Sequence, residues 1–140
     1  MVLPGWNVSE PIQLAVKLYE VIDDLKDAPE GAKAFVSKVN GFRRLLEELG
    51  QTLRSDFPES SSAKDLDHLH ATLIECQDCV RRCQDFGDRF KSLTKDGGGG
   101  IARVGQAARY LWQDKKVARL RTEIDSQMNS IHLSLTVRTL

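Results

Sequence analysis

Apolar residues recur along this chain at alternating spacings of three and four, which is the period of an amphipathic α-helix. The clearest case lies within residues 32–53, where six apolar residues form one continuous seam: Phe35, Val39, Phe42, Leu46, Leu49 and Leu53. Val36 and Leu45 widen this seam to the stripe that a core-facing helix presents. We find no segment with the strict alternation of apolar and polar residues that predicts a β-strand.

The same period predicts further helices, and helix-breaking residues separate them. The five predicted helices cover residues 9–27, 32–53, 62–95, 101–111 and 114–137. Pro29 and Gly31 separate the first from the second, and residues 55–62 form a polar loop before the third. Glycines 97–100 are expected to form a flexible linker after the third helix, and residues 1–8 form a leader.

These elements predict an all-α fold, a single domain of residues 1–140 built as a four- to five-helix bundle with one long central helix at about 62–95. At ~1.5 Å per residue that helix would extend roughly 50 Å, against about 30 Å for the second helix. One end of it should therefore overhang, bend near Gly87 or pack on something else. Gly41 and Gly50 lie inside the second helix, where each costs ~1 kcal/mol relative to alanine unless close packing compensates.

The first helix is the candidate for a surface that leaves the bundle, because it is terminal and follows an apolar leader. Its apolar stripe is predicted to contain Ile12, Ala15, either Leu18 or Tyr19, Ile22 and Leu25. The candidate residues for contact with a partner protein or a membrane are Ile12, Leu14, Leu18 and Ile22. The polar face of this helix is acidic, which weakens its expected attraction to lipid.

Composition narrows the classes of function. Hydrophobic residues make up 41% of the chain and charged residues 29%, as in an ordinary globular domain. Twenty basic residues balance 20 acidic ones, and this zero net charge predicts no nucleic-acid partner. Residues 1–60 carry 7 basic and 10 acidic side chains, whereas residues 101–140 carry 7 and 3. The basic residues of 101–140 could either attract the acidic residues of 1–60 or bind an anionic lipid surface.

No residue pattern predicts catalysis or a cofactor. Cys76, Cys79 and Cys83 could share one helix face, but one rigid helix cannot surround a tetrahedral metal ion. Cys76 and Cys83 also lie in an apolar seam, where a thiol packs as a small hydrophobic group. The glycines at 100 and 105 lack the Lys-Ser/Thr of a phosphate-binding loop, and no nucleophile elbow or zinc-protease motif occurs. We therefore expect a non-enzymatic protein with no catalytic, metal or cofactor site.

Several stretches resemble one family of fungal N-terminal domains. They are GWNVS at 5–9, KDAPE at 26–30, VNGFRRLLEEL at 39–49, LWQDKKV at 111–117 and the apolar pattern of 120–135. Together they cover nearly the whole chain. The domains that they resemble precede NACHT or NB-ARC nucleotide-binding cores in fungal NLR-like (STAND) receptors and are related to HeLo and HeLo-like helical bundles.

This resemblance implies a cytoplasmic, non-catalytic signalling domain that associates through its helices in non-self recognition or programmed cell death. Its expected partner is another protein or a second copy, with peripheral membrane contact on activation. The alternative is a membrane-perturbing cell-death executor of the HeLo or mixed-lineage-kinase-like type. The first helix here is acidic and lacks the continuous apolar, glycine-containing stretch of the lytic members. The residues that match the family's core motif are Phe42, Leu46, Leu49, Trp112 and Leu120.

Overall fold

The described part of the chain is entirely helical. The computed structural model describes residues 10–26, 28, 32–55, 63–95 and 115–139. The four helices in these ranges are α1 Glu10–Asp24, α2 Lys33–Ser55, α3 Ala63–Lys95 and α4 Lys115–Thr139. The same ranges contain no β-strand, so the predicted all-α class is confirmed. The predicted leader, glycine linker and helix at 101–111 lie outside the described residues.

The helices form a four-cornered bundle. α1 packs against α2 and α3, and α4 packs against the same two helices, which places α1 and α4 at opposite corners. Phe35 of α2 and Phe86 of α3 meet edge to face, with ring centroids 5.3 Å apart. The 33 residues of α3 correspond to about 50 Å of helix, but α3 occupies a corner. The predicted central position of this helix is therefore not confirmed.

One apolar core runs between the four helices, and on α2 it follows the predicted seam. All six seam residues of α2, from Phe35 to Leu53, are buried. The buried residues contributed by α3 are Leu69, Leu73, Cys76, Cys79, Val80, Cys83, Phe86 and Phe90. Those contributed by α4 are Val117, Leu120, Ile124 and Ile131, with Met128 and Leu135 partly buried beside them.

The core face of α1 is rotated from the predicted stripe. Leu18 is fully buried whereas Tyr19 is 51% exposed, which decides between the two alternatives. Val21 enters the core, and Ile22 lies only partly buried at its edge. The reason is that α1 packs against two helices at once, so its seam of Leu14, Leu18, Val21 and Leu25 points between them.

α1 also ends earlier than predicted, at Asp24. The chain leaves it through a turn in which the Leu25 N–H donates to the Val21 carbonyl at 3.0 Å. Asp23 and Asp24 place two negative charges at the helix C-terminus, where the helix dipole disfavours them. The last predicted turn is therefore poorly stabilised as α-helix.

The two glycines inside α2 lie where other helices approach it closely. A Cβ at Gly50 would overlap the side chain of Ile12 on α1, lying 2.6 Å from its Cγ1. A Cβ at Gly41 would lie 3.3 Å from Cε of Met128 on α4. Close helix packing thus offsets the conformational cost of Gly50 in particular, because no larger residue fits there without movement.

Candidate functional site

The first turns of α4 concentrate positive charge. Four exposed cations occur there: Lys115, Lys116, Arg119 and Arg121. The helix dipole adds partial positive charge at this same end, so cations are disfavoured there. The two acidic residues of α4, Glu123 and Asp125, each pair with a neighbouring helix. Arg82 of α3 donates from Nε to Glu123 Oε2 at 2.7 Å, and Lys38 of α2 lies 2.7 Å from Asp125 Oδ1.

A cleft of about 430 Å³ lies between the second half of α3 and the start of α4. We call it the α3/α4 cleft. Its apolar floor consists of Phe86, Val117 and Leu120, which also belong to the core. Its rim carries four cations and two acids: Arg82, Arg89, Lys116, Arg119, Asp85 and Glu123. The cleft therefore combines an apolar base with an excess of positive charge.

The rim cations are not equivalent. The hydrogen bond from Arg82 to Glu123 spans the two helices and raises the pKa of Arg82 above its usual value. Arg89 and Arg119 form no ion pair with any other residue in the described ranges. These two guanidinium groups are consequently the ones that can bind an incoming carboxylate.

The outward side of α1 differs from the surface that sequence reasoning selected. Of the four predicted contact residues, Leu14 and Leu18 are buried, and Ile12 and Ile22 are partly buried. The exposed apolar residues of α1 are instead Val16, at 52% exposure, and Tyr19. Glu20 and Asp23 lie exposed beside them. We call Val16, Tyr19, Glu20 and Asp23 the α1 outer face. The sequence could have indicated this surface, because Val16 and Tyr19 are apolar residues outside the buried stripe of α1.

Tyr19 is held in place from α2. The Arg43 guanidinium lies over the Tyr19 ring at 4.2 Å from its centroid. Arg43 also donates to Asn40 Oδ1 at 2.9 Å and pairs with Glu47 at 2.9 Å. With three partners this nearly buried arginine is fixed, so the exposed part of the ring forms a stable apolar surface rather than a freely rotating side chain.

The three cysteines are free and buried. The Cys76 thiol donates to Gln127 Oε1 of α4 at 3.7 Å, and burial, followed by the charges of Cys79 and Glu75, raises the pKa of Cys76 to about 12. A hydrogen bond with Cys79, and then burial, raises the pKa of Cys83 well above its usual value. Cys76 and Cys83 therefore stay protonated and inert at neutral pH. The described residues include no group of three or more His, Cys, Asp or Glu that could hold a metal ion.

Of the residues that resemble the core motif of the fungal domains, Phe42, Leu46, Leu49 and Leu120 lie in the core, and Trp112 lies outside the described residues. Comparison with protein-family models, curated proteins and solved structures finds no significant match to this chain. Among the helices described, none has a stretch long and apolar enough to cross a membrane.

Proposed function

We propose that this chain is a non-catalytic signalling and interaction domain that works by helix-mediated association. The resemblance suggests its setting, the N-terminus of a fungal NLR-like (STAND) protein in non-self recognition or cell-death signalling. The observation that supports association is the α3/α4 cleft, whose apolar floor is flanked by Arg89 and Arg119. Neither arginine has an ion-pair partner among the described residues.

The energetics of the isolated bundle give no reason for this arrangement. Cations at a helix N-terminus cost stability, and the two acids within α4, Glu123 and Asp125, form interhelical pairs with Arg82 and Lys38. A bound acidic surface would neutralise the rim and cover the edges of Phe86 and Leu120, so its approach gains both charge attraction and apolar burial. A surface of this composition is typical of a binding site for a protein helix.

Sedimentation velocity across a wide range of protein concentration tests the proposal directly. We expect the average mass to rise with concentration and to fall as salt screens the rim charges. Fusion of the domain to an inducible oligomerising partner should also produce a signalling or death phenotype in a filamentous-fungal host. A chain that stays monomeric at every concentration and whose fusion is silent would refute the proposal.

A membrane-perturbing executor is the second candidate, and the exposed cations at the start of α4 favour it. Each Lys or Arg near an anionic bilayer surface contributes roughly 1 kcal/mol of attraction. Vesicles containing phosphatidylserine should then leak their contents, and neutral vesicles should not. The pair Lys115→Glu and Arg119→Glu should abolish leakage, while Arg44→Glu and Arg81→Glu, which change net charge equally on other helices, should retain it.

The obvious alternative variants are less informative. Placing a charge at Leu14 or Leu18 would bury it in the core and unfold the bundle, so loss of leakage would say nothing about lipid. Absence of leakage from the wild-type domain, with no toxicity on forced oligomerisation, excludes this candidate.

A further inference from the structure

We infer that the α3/α4 cleft binds the α1 outer face of a second copy of this chain, so that copies associate head to tail. This inference rests on the proposed function, which requires association, and adds the partner, the two surfaces and the direction. It follows from the match between the two surfaces and from where the fold places them.

The two surfaces are complementary in charge. Among the described residues Glu20 and Asp23 have no ion-pair partner, just as Arg89 and Arg119 have none. α1 carries one basic residue, Lys17, which lines a separate groove against α3 and forms no ion pair with Glu20 or Asp23. Two exposed carboxylates on one element thus match two guanidinium groups on the other.

They are also complementary in apolar character. Val16 and Tyr19 expose about half of their surface on a rigid helix, and the cleft offers an apolar floor between its charged rims. Tyr19 enters binding already ordered, because Arg43 stacks on its inner side at 4.2 Å, and ordered aromatic side chains lose little entropy on binding. Two apolar side chains flanked by acids therefore face an apolar floor flanked by arginines.

The fold prevents one molecule from joining its own two surfaces. α1 and α4 lie at opposite corners of the bundle and do not pack against each other. A symmetric dimer through one surface is disfavoured too, because cleft against cleft would oppose arginines and α1 against α1 would oppose carboxylates. A symmetric dimer with two reciprocal cleft–face contacts would need both surfaces on one side of the bundle, whereas α1 and α4 lie at opposite corners. The remaining arrangement is heterologous, and such contacts propagate into open chains or rings.

Two complementary variants test the direction of assembly. The cleft variant is Arg89→Glu with Arg119→Glu, and the face variant is Val16→Ser, Glu20→Gln and Asp23→Asn, which keeps the stacked Tyr19. All five positions are exposed, so both variants should fold, as thermal melts by circular dichroism will show. The face variant is neutral rather than basic, so that it cannot pair with the acidic cleft variant in reverse. Arg44→Glu with Arg121→Glu is the control, because it matches the charge change outside the cleft.

We expect each variant alone to associate at least about tenfold more weakly than wild type in sedimentation velocity, and the control to match wild type. Mixing the two variants should give a 1:1 dimer that does not grow, because one intact cleft meets one intact face. The inference is overturned if the cleft variant associates as strongly as wild type, or if the mixture of the two variants forms no dimer. Either result leaves the proposed function standing.

Two further outcomes separate other occupants. A wild-type chain that remains monomeric but binds phosphatidylserine vesicles through Arg89 and Arg119 has a lipid-binding cleft, and this outcome also overturns the inference. A chain that is monomeric and silent in fusion refutes the proposed function itself, and the inference falls with it.

Discussion

Replacing Gly50 with alanine should destabilise the bundle, although the same change at Gly41 should not. Both residues lie inside α2, where alanine is favoured over glycine by ~1 kcal/mol because the helix loses less backbone entropy on folding. The two sites differ only in what the added methyl group meets. At Gly41 it meets the flexible end of Met128 at 3.3 Å, and at Gly50 it overlaps Ile12.

The magnitudes follow from those contacts. The flexible side chain of Met128 can move by a few tenths of an ångström, so Gly41→Ala should keep most of the helix-propensity advantage of alanine. We expect it to stabilise the bundle by about 0.5–1 kcal/mol. Ile12 is stiff at χ1, and its Cγ1 lies 2.6 Å from the new methyl position. Overpacking of this kind costs about 1–3 kcal/mol, so Gly50→Ala should be net destabilising by roughly 1 kcal/mol. The two variants should therefore differ by about 1.5–2 kcal/mol.

Urea unfolding followed by circular dichroism at 222 nm measures these differences in the free energy of unfolding. Combining Gly50→Ala with Ile12→Ala should remove the overlap, so that the alanine becomes stabilising and the double-mutant cycle shows a coupling of about 1–2 kcal/mol. Gly41→Ala in the same Ile12→Ala background is the control and should be additive. Equal stabilities for Gly41→Ala and Gly50→Ala, or no coupling with Ile12, would refute the close approach of α1 to α2.

Three more outcomes are expected. Raising the pH from about 9 towards 12 should lower the free energy of unfolding. The reason is that folded Cys76 keeps its proton up to a pKa of about 12, whereas the unfolded thiol loses it near the usual value of 9.0. In urea titrations, Cys76→Ala should therefore lose less stability with rising pH than wild type does. Leu18→Ala should cost about 2–5 kcal/mol and Tyr19→Ala no more than about 2 kcal/mol, and similar thermal melts for the two would contradict the observed register of α1. Native protein should resist aromatic disulfide reagents at all three cysteines until urea unfolds it, and rapid labelling would contradict their burial.

The helices that sequence reasoning placed best are those whose apolar residues form one unambiguous seam. On α2 every turn supplies a seam residue, and Phe42 and Leu49 have no apolar neighbour in the sequence, so their burial follows from periodicity alone. On α1, Leu18 and Tyr19 are adjacent and both apolar, and only the positions of α2 and α3 decide which one faces inward. A local pattern cannot carry that information.

The two proposed surfaces were partly visible in the sequence. The basic excess of residues 101–140 already indicated a charged face, but the α3/α4 cleft also needs Arg82 and Arg89, which lie on another helix. Nothing in the spacing of either segment predicts that α3 and α4 are neighbours. The same holds for Val16, whose exposure depends on how α1 is rotated in the bundle.

Interhelical ion pairing explains why a chain of zero net charge presents two oppositely charged surfaces. Asp24 lies 3.4 Å from Lys91, and the two acids of α4 pair with Lys38 of α2 and Arg82 of α3. These pairs between helices neutralise charged side chains that lie close to the helix contacts. Carboxylates of α1 and arginines of the cleft remain outward. The pI of the chain is about 6.8, and a net charge near zero favours non-specific association close to that pH. Head-to-tail association depends on two particular surfaces and not on zero net charge, so it should persist about one pH unit to either side of the pI, whereas isoelectric aggregation should not.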